Sequence, residues 1–96
     1  MTASSPSPPE RRVRVLNRYG IHARPAALLV KAASAFPDTE IFIRKGDFSV
    51  NAKSIMGLLT LEGQHGLELF LSASGPRAAE ALDALEALFR DKFHEE

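Results

Sequence analysis

What most constrains this chain is the way its hydrophobic period changes along its length. Two stretches repeat apolar residues at helical spacing: Ala26, Leu29, Val30 and Ala33, then Ala78, Leu82, Leu85 and Phe89. Around them lie short stretches, residues 12–16, 40–44, 48–50 and 67–71, in which polar and apolar residues alternate, the last imperfectly. Alternation places successive side chains on opposite faces of a strand, whereas a period near 3.6 lines one stripe of a helix. Each element then has one apolar face to bury, which requires a second layer.

Glycine and proline divide these stretches. The strand over 12–16 ends at Asn17, and a loop through Gly20 leads into a helix that begins right after His22, with Pro25 in its first turn, where a missing N–H is harmless. That helix stops before Phe36-Pro37-Asp38, because proline restricts the residue ahead of it. Lys45-Gly46-Asp47 joins residues 40–44 and 48–50 as a hairpin. Ser54 caps a short helix over residues 55–59, and Gly75-Pro76 opens a long one whose Glu80, Asp83, Glu86 and Arg90 stay wet. The purpose of Gly57, which costs about 1 kcal/mol inside a helix relative to alanine, is not visible in the sequence. The order strand, helix, strand, strand, helix, strand, helix describes an α+β domain, an antiparallel sheet with helices on one face. Ferredoxin-like folds share that order, so strand pairing stays open.

At 96 residues the chain is one small domain. Residues 1–10, rich in Ser and Pro, read as a disordered N-terminal tail, with the domain in 11–96. There is no cysteine, so no disulfide framework, which fits a reducing, cytoplasmic setting. The longest apolar run, 25–30, is far shorter than the roughly 20 residues of a membrane span, so a soluble protein without membrane insertion is expected. Twelve basic residues balance twelve acidic ones, which disfavours nucleic acid as a partner. Arg11, Arg12, Arg14 and Arg18 read as a polar strand face. His65 and His94 have no companion ligands at metal spacing and read as solvated surface; neither metal nor cofactor is expected.

The chemistry concentrates in Gly20-Ile21-His22-Ala23-Arg24-Pro25-Ala26-Ala27. Histidine is the side chain best suited to act as an uncharged nucleophile near neutral pH. Placed before a helix, a phosphorylated ring would meet free backbone N–H groups and a dipole worth about 0.3–1 kcal/mol, modest enough to let the group leave again. Arg24 supplies a permanent charge and planar donors suited to phosphate oxygens. Alone, the two residues also describe an ordinary solvated loop.

Asn17-Arg18-Tyr19-Gly20-Ile21-His22-Ala23-Arg24-Pro25-Ala26 resembles the active-site signature of HPr, the histidine-containing phosphocarrier of bacterial phosphotransferase systems. Val50-Asn51-Ala52-Lys53-Ser54-Ile55-Met56-Gly57-Leu58 resembles that family's regulatory-serine segment, in register with the first motif. The resemblance runs from about Arg12 to Phe89 and implies an open-faced β-sandwich, a four-stranded antiparallel sheet with three helices on one side. It makes His22 the phosphoryl acceptor through Nδ1 and Arg24 its charged companion. Enzyme I, charged from phosphoenolpyruvate, would be the donor and enzyme IIA proteins the acceptors. The chain would be a carrier within a transferase system, catalysing no turnover of a small molecule by itself, and a monomer.

The same resemblance makes Ser54 a target of HPr kinase/phosphorylase. A phosphate there adds about −1.5 to −2 charges, tolerated at a helix N-terminus but disruptive beside an apolar docking patch. Ala23, Ala27, Ile55, Met56 and Leu59 are the docking candidates. Any one of the last three, taken alone, is expected in the core, yet all three cannot face it at once. The N-terminal extension and the ending His94-Glu95-Glu96 depart from the family pattern and are not expected to touch the motifs. The nitrogen-type or regulatory phosphotransfer branch shows similar motifs. Two other readings are a non-relay regulatory module controlled by Ser54, which retention of His22 disfavours, and an RNA platform on Phe42, Phe48 and Phe70, which the balanced charge disfavours.

Overall fold

The computed structural model describes residues 9–95. Four strands, β1 (Glu10–Arg14), β2 (Glu40–Lys45), β3 (Phe48–Asn51) and β4 (Glu68–Ser74), alternate with helices α1 (Ala23–Ser34), α2 (Ile55–Thr60) and α3 (Ala78–Arg90). The strands form one sheet in the order β1-β4-β2-β3, antiparallel throughout, with β4 and β2 in the centre. Val13 stands opposite Leu69, and Ile43 lies between Leu71 and Val50. Alternation sends Val13, Ile41, Ile43, Val50, Leu69, Leu71 and Ala73 to one face, where all are buried. There α3 lies across β1, β4 and β2, α1 packs beside α3, and α2 packs against α1 and β3. The expected open-faced sandwich is therefore the fold. Among the described residues no helix is long and apolar enough to cross a membrane.

Several boundaries shift. Glu10 already pairs with Ser72, so the fold begins one residue before the expected boundary at residue 11; of the tail expected over residues 1–10, residues 1–8 lie outside the described residues. β1 ends at Arg14 rather than Leu16, although Val15 continues a local ladder through Leu67 and Gly66. Arg11 does not join a single polar strand face: it ion-pairs with Asp83 and Glu86 on α3 at 2.8 and 2.7 Å, which raises its already high pKa. Val30 and Ala78 are only half-buried, while Ala81 completes the buried stripe of α3.

Gly57 acquires a reason: a Cβ there would stand 3.2 Å from the Ser54 hydroxyl oxygen and 3.4 Å from Val50. Lys53 is also locked in place, its ammonium donating to the carbonyls of Phe36 at 2.8 Å and Thr39 at 2.7 Å just beyond α1.

After α3 the chain makes a further three-residue turn, Lys92–His94, that no periodicity in the sequence marks. Phe93 is fully buried and meets Phe89 edge-on, with ring centroids 4.9 Å apart. Lys92, Phe93 and His94 all have positive φ, 54°, 54° and 61°. For non-glycine residues that region costs on the order of 1–3 kcal/mol each, so the turn persists because the surrounding structure holds it.

Candidate functional site

The loop before α1 is held by its own backbone and one buried amide. Gly20 has φ of 70°, and a Cβ there would fall 2.2 Å from the Gly63 carbonyl oxygen, so glycine is the residue this close approach admits. The same oxygen accepts from Ile21 N–H at 2.8 Å, tying the loop to the segment before β4, while the Ile21 side chain enters the core. Asn17, fully buried, donates through Nδ2 to the Gly20 carbonyl at 2.7 Å. His22 N–H then donates to the Gly20 carbonyl at 3.0 Å, which turns the chain into α1.

His22 is the N-cap of α1, in extended conformation, and its side chain makes no cap hydrogen bond. Its carbonyl takes the first helical bond, from Ala26 N–H at 3.0 Å. The amides of Ala23 and Arg24 therefore have no carbonyl one turn earlier in the helix, Pro25 has no N–H to offer, and no acidic residue occupies the first turn. That end of the helix is suited to an anion.

The His22 side chain remains 41% exposed. Tyr19 stands edge-on to it, centroids 6.3 Å apart, and the Arg18 guanidinium lies over the Tyr19 ring. Arg18, Tyr19 and Arg24 share a cleft of about 270 Å³ with His94 and Glu95 of the C-terminal segment. Two permanent cations thus border the cleft beside the histidine. Arg24 itself is exposed and stands one residue past Ala23, the first helical position.

The expectation that the acidic ending stays clear of the motifs is corrected. The Glu95 carboxylate reaches His22 Nε2 at 2.9 Å with one oxygen and accepts from Asn17 Nδ2 at 3.0 Å with the other. His94 lines the cleft, and the exposed His65 hydrogen-bonds through Nδ1 to the Asn17 carbonyl at 3.2 Å, so neither is merely solvated. No local signal marks Glu95: it is 73 residues from His22, and only the burial of Phe93 carries it there.

Ser54 is the N-cap of α2, its Oγ accepting from Gly57 N–H at 3.0 Å. The expectation that Ile55, Met56 and Leu59 each favour the core is also corrected: all three are exposed, Met56 at 68%, while Leu58 takes the buried position. A helix of six residues can turn only one narrow face inward, so the others remain outside. Ala23 and Ala27 are exposed on the adjacent α1.

A family model described as the PTS HPr component phosphorylation site matches residues 9–91. The phosphocarrier protein HPr of Treponema pallidum is 54% identical over 84 residues, covering 88% of this chain and 94% of the relative. The phosphocarrier protein NPr of Shewanella violacea is 44% identical over 86 residues, 90% of this chain and 93% of the relative. Among solved structures, HPr-C-His from Thermoanaerobacter tengcongensis superposes with a TM-score of 0.87 at 44% identity, over 92% of this chain and 98% of that one. An HPr dimer from the same organism superposes at 0.71 with 40% identity, over 97% and 98% of the two chains.

Proposed function

We propose, for a chain that belongs to the HPr family of phosphocarrier proteins, that His22 is the residue that takes up and hands on the phosphoryl group. The observation that carries this reading is the placement of His22: a half-exposed imidazole at the N-cap of α1, uncommitted to capping, beside a cleft bordered by Arg18 and Arg24. A ring nitrogen lone pair attacks the donor's phosphorus, the donor bond breaks, and the phosphate oxygens face the free amides of Ala23 and Arg24. Arg24 and Arg18 lower the repulsion as two phosphate-bearing sites approach each other. Because both cations are exposed, they hold the group weakly, as a relay requires.

As a member of the phosphotransferase system the chain exchanges phosphoryl groups with that system's enzymes. The specific partners of this reading are enzyme I as donor and enzyme IIA proteins as acceptors, in the cytoplasm, with the chain acting as a monomer. Ile55, Met56 and Leu59, with Ala23 and Ala27, form the docking surface. Ser54 is the regulatory position, open to HPr kinase/phosphorylase; a phosphate there stays compatible with the N-cap while placing charge next to exposed Ile55 and Met56. The similarity to NPr keeps the nitrogen-type branch as a second reading of the downstream acceptor.

Incubation with enzyme I and labelled phosphoenolpyruvate tests the central claim. Acid-labile label present on the wild type and on Ser54→Ala, and absent from His22→Ala, is the expected result. An unlabelled wild type in the presence of a competent enzyme I would remove the assignment of His22. Transfer from the labelled chain to sugar-type and nitrogen-type enzyme IIA proteins then separates the two branches, and sedimentation equilibrium reads the oligomeric state.

A further inference from the structure

We infer that Glu95 is a positioning residue for His22, holding the imidazole proton on Nε2 so that Nδ1 is the nucleophile, and serving as counterion to the ring once it is phosphorylated. This rests on the phosphocarrier reading of His22.

Glu95 commits both carboxylate oxygens to the site: Oε2 to His22 Nε2 at 2.9 Å and Oε1 to Asn17 Nδ2 at 3.0 Å. Asn17 spends its other amide hydrogen on the Gly20 carbonyl at 2.7 Å, so one buried side chain fixes both the loop that presents His22 and the acid that faces it. The Glu95 side chain is 17% exposed, more covered than its partner. It is delivered by Lys92–His94, three consecutive non-glycine residues with positive φ, and by the buried Phe93. Strain gathered in one segment is a signature of a functional constraint.

A carboxylate accepts, so the ring nitrogen facing it bears the hydrogen. With Nε2–H directed to Glu95, the neutral ring keeps its lone pair on Nδ1. Phosphoryl uptake then forms a phosphorus–Nδ1 bond from that lone pair while the donor's bond breaks and its electron pair stays with the donor. The Nε2 proton remains in place and the ring becomes positively charged, offset by Glu95. Transfer onward returns the bonding pair to Nδ1 and restores the same tautomer. No proton needs to enter or leave the ring in either direction.

The experiment compares the full-length wild type with Glu95→Gln and Glu95→Ala. One measurement is the ring ¹⁵N spectrum of neutral His22; the other is the phosphorylated fraction at equilibrium with enzyme I at a fixed ratio of phosphoenolpyruvate to pyruvate. Glutamine keeps the shape and an oxygen for Nε2–H but removes the charge and the acceptor that faces Asn17 Nδ2. Expected is an Nε2–H tautomer retained in Glu95→Gln and mixed with Nδ1–H in Glu95→Ala, with the equilibrium constant for uptake lowered about 2- to 5-fold in both, the scale of a partly exposed ion pair. An uptake equilibrium in Glu95→Gln equal to that of the wild type overturns the inference. An unchanged His22 ring spectrum in Glu95→Ala, with the backbone amide spectrum showing an intact fold, overturns it equally. Failure of the wild type to accept label at His22 would instead defeat the reading beneath it.

Discussion

Replacing Gly20 with alanine probes the contact on which the placement of His22 depends. The new Cβ would lie 2.2 Å from the Gly63 carbonyl oxygen, far inside contact distance, and the obstacle is backbone, which cannot swing aside as a flexible side chain can. The loop must therefore move away from Gly63, breaking the Ile21 N–H bond to that oxygen and drawing Ile21 from the core. A left-handed backbone costs a Cβ-bearing residue about 1–2 kcal/mol. Leaving a buried backbone pair unmet adds about 1–3 kcal/mol. With partial loss of Ile21 burial the total is about 3–5 kcal/mol, a fall in Tm of at least ~12 °C for a domain this size. Gly46→Ala is the matched control: its φ is 57°, yet nothing lies within 4 Å of its Cβ, so it bears only the backbone cost of about 1–2 kcal/mol. Urea denaturation of the two variants, followed by labelling of the folded fraction through enzyme I, gives the comparison. Gly20→Ala should be the less stable by at least ~1 kcal/mol and should accept phosphate more slowly. Equal stability of the two variants would refute the argument from close approach.

Phe93→Ala should destabilise by about 3 kcal/mol, the low end for a buried aromatic because a terminal turn can peel away, and should release Glu95 from His22, read by thermal unfolding and by loss of the His22–Glu95 contact in NMR. Lys53→Met should cost about 2–4 kcal/mol in urea denaturation, since two carbonyls lose a charged donor that methionine cannot replace. Beside Arg77, whose guanidinium donates to both oxygens of Glu80, the Glu80 carboxyl is held below its ordinary pKa, so the pair's contribution is present above the unfolded carboxylate's pKa and fades as pH falls through the folded value. Arg77→Ala should return the Glu80 titration, followed by ¹³C NMR, to the ordinary range, and the pH-dependent part of the stability difference between variant and wild type should vanish in acid.

Local chemistry made much of this protein legible in its sequence. The helical spacing of Leu29 and Ala33, and of Leu82, Leu85 and Phe89, marks stripes that are buried, because period and burial are tied by helix geometry. Ser54 caps α2 as its position ahead of an apolar run implies, and Gly20 and Pro25 bracket the start of α1, since backbone angles and missing donors are properties of single residues. His22 and Arg24 stand at the start of α1, where their place around Pro25 puts them, for the same reason.

Other features are set by what the chain meets far from itself. Element order did not decide that β4 lies between β1 and β2, because pairing depends on which faces must cover one core. Nothing local told Leu58 from Ile55, Met56 and Leu59; the choice was made by the single narrow face that α2 turns toward the core. Gly57 is explained only once the Ser54 hydroxyl stands 3.2 Å from where its Cβ would be. Glu95 is the plainest case: a charged residue near a chain end has no periodicity to betray it, and it becomes part of the histidine site only because Phe93 is drawn into the core and bends the last turn back onto Asn17 and His22.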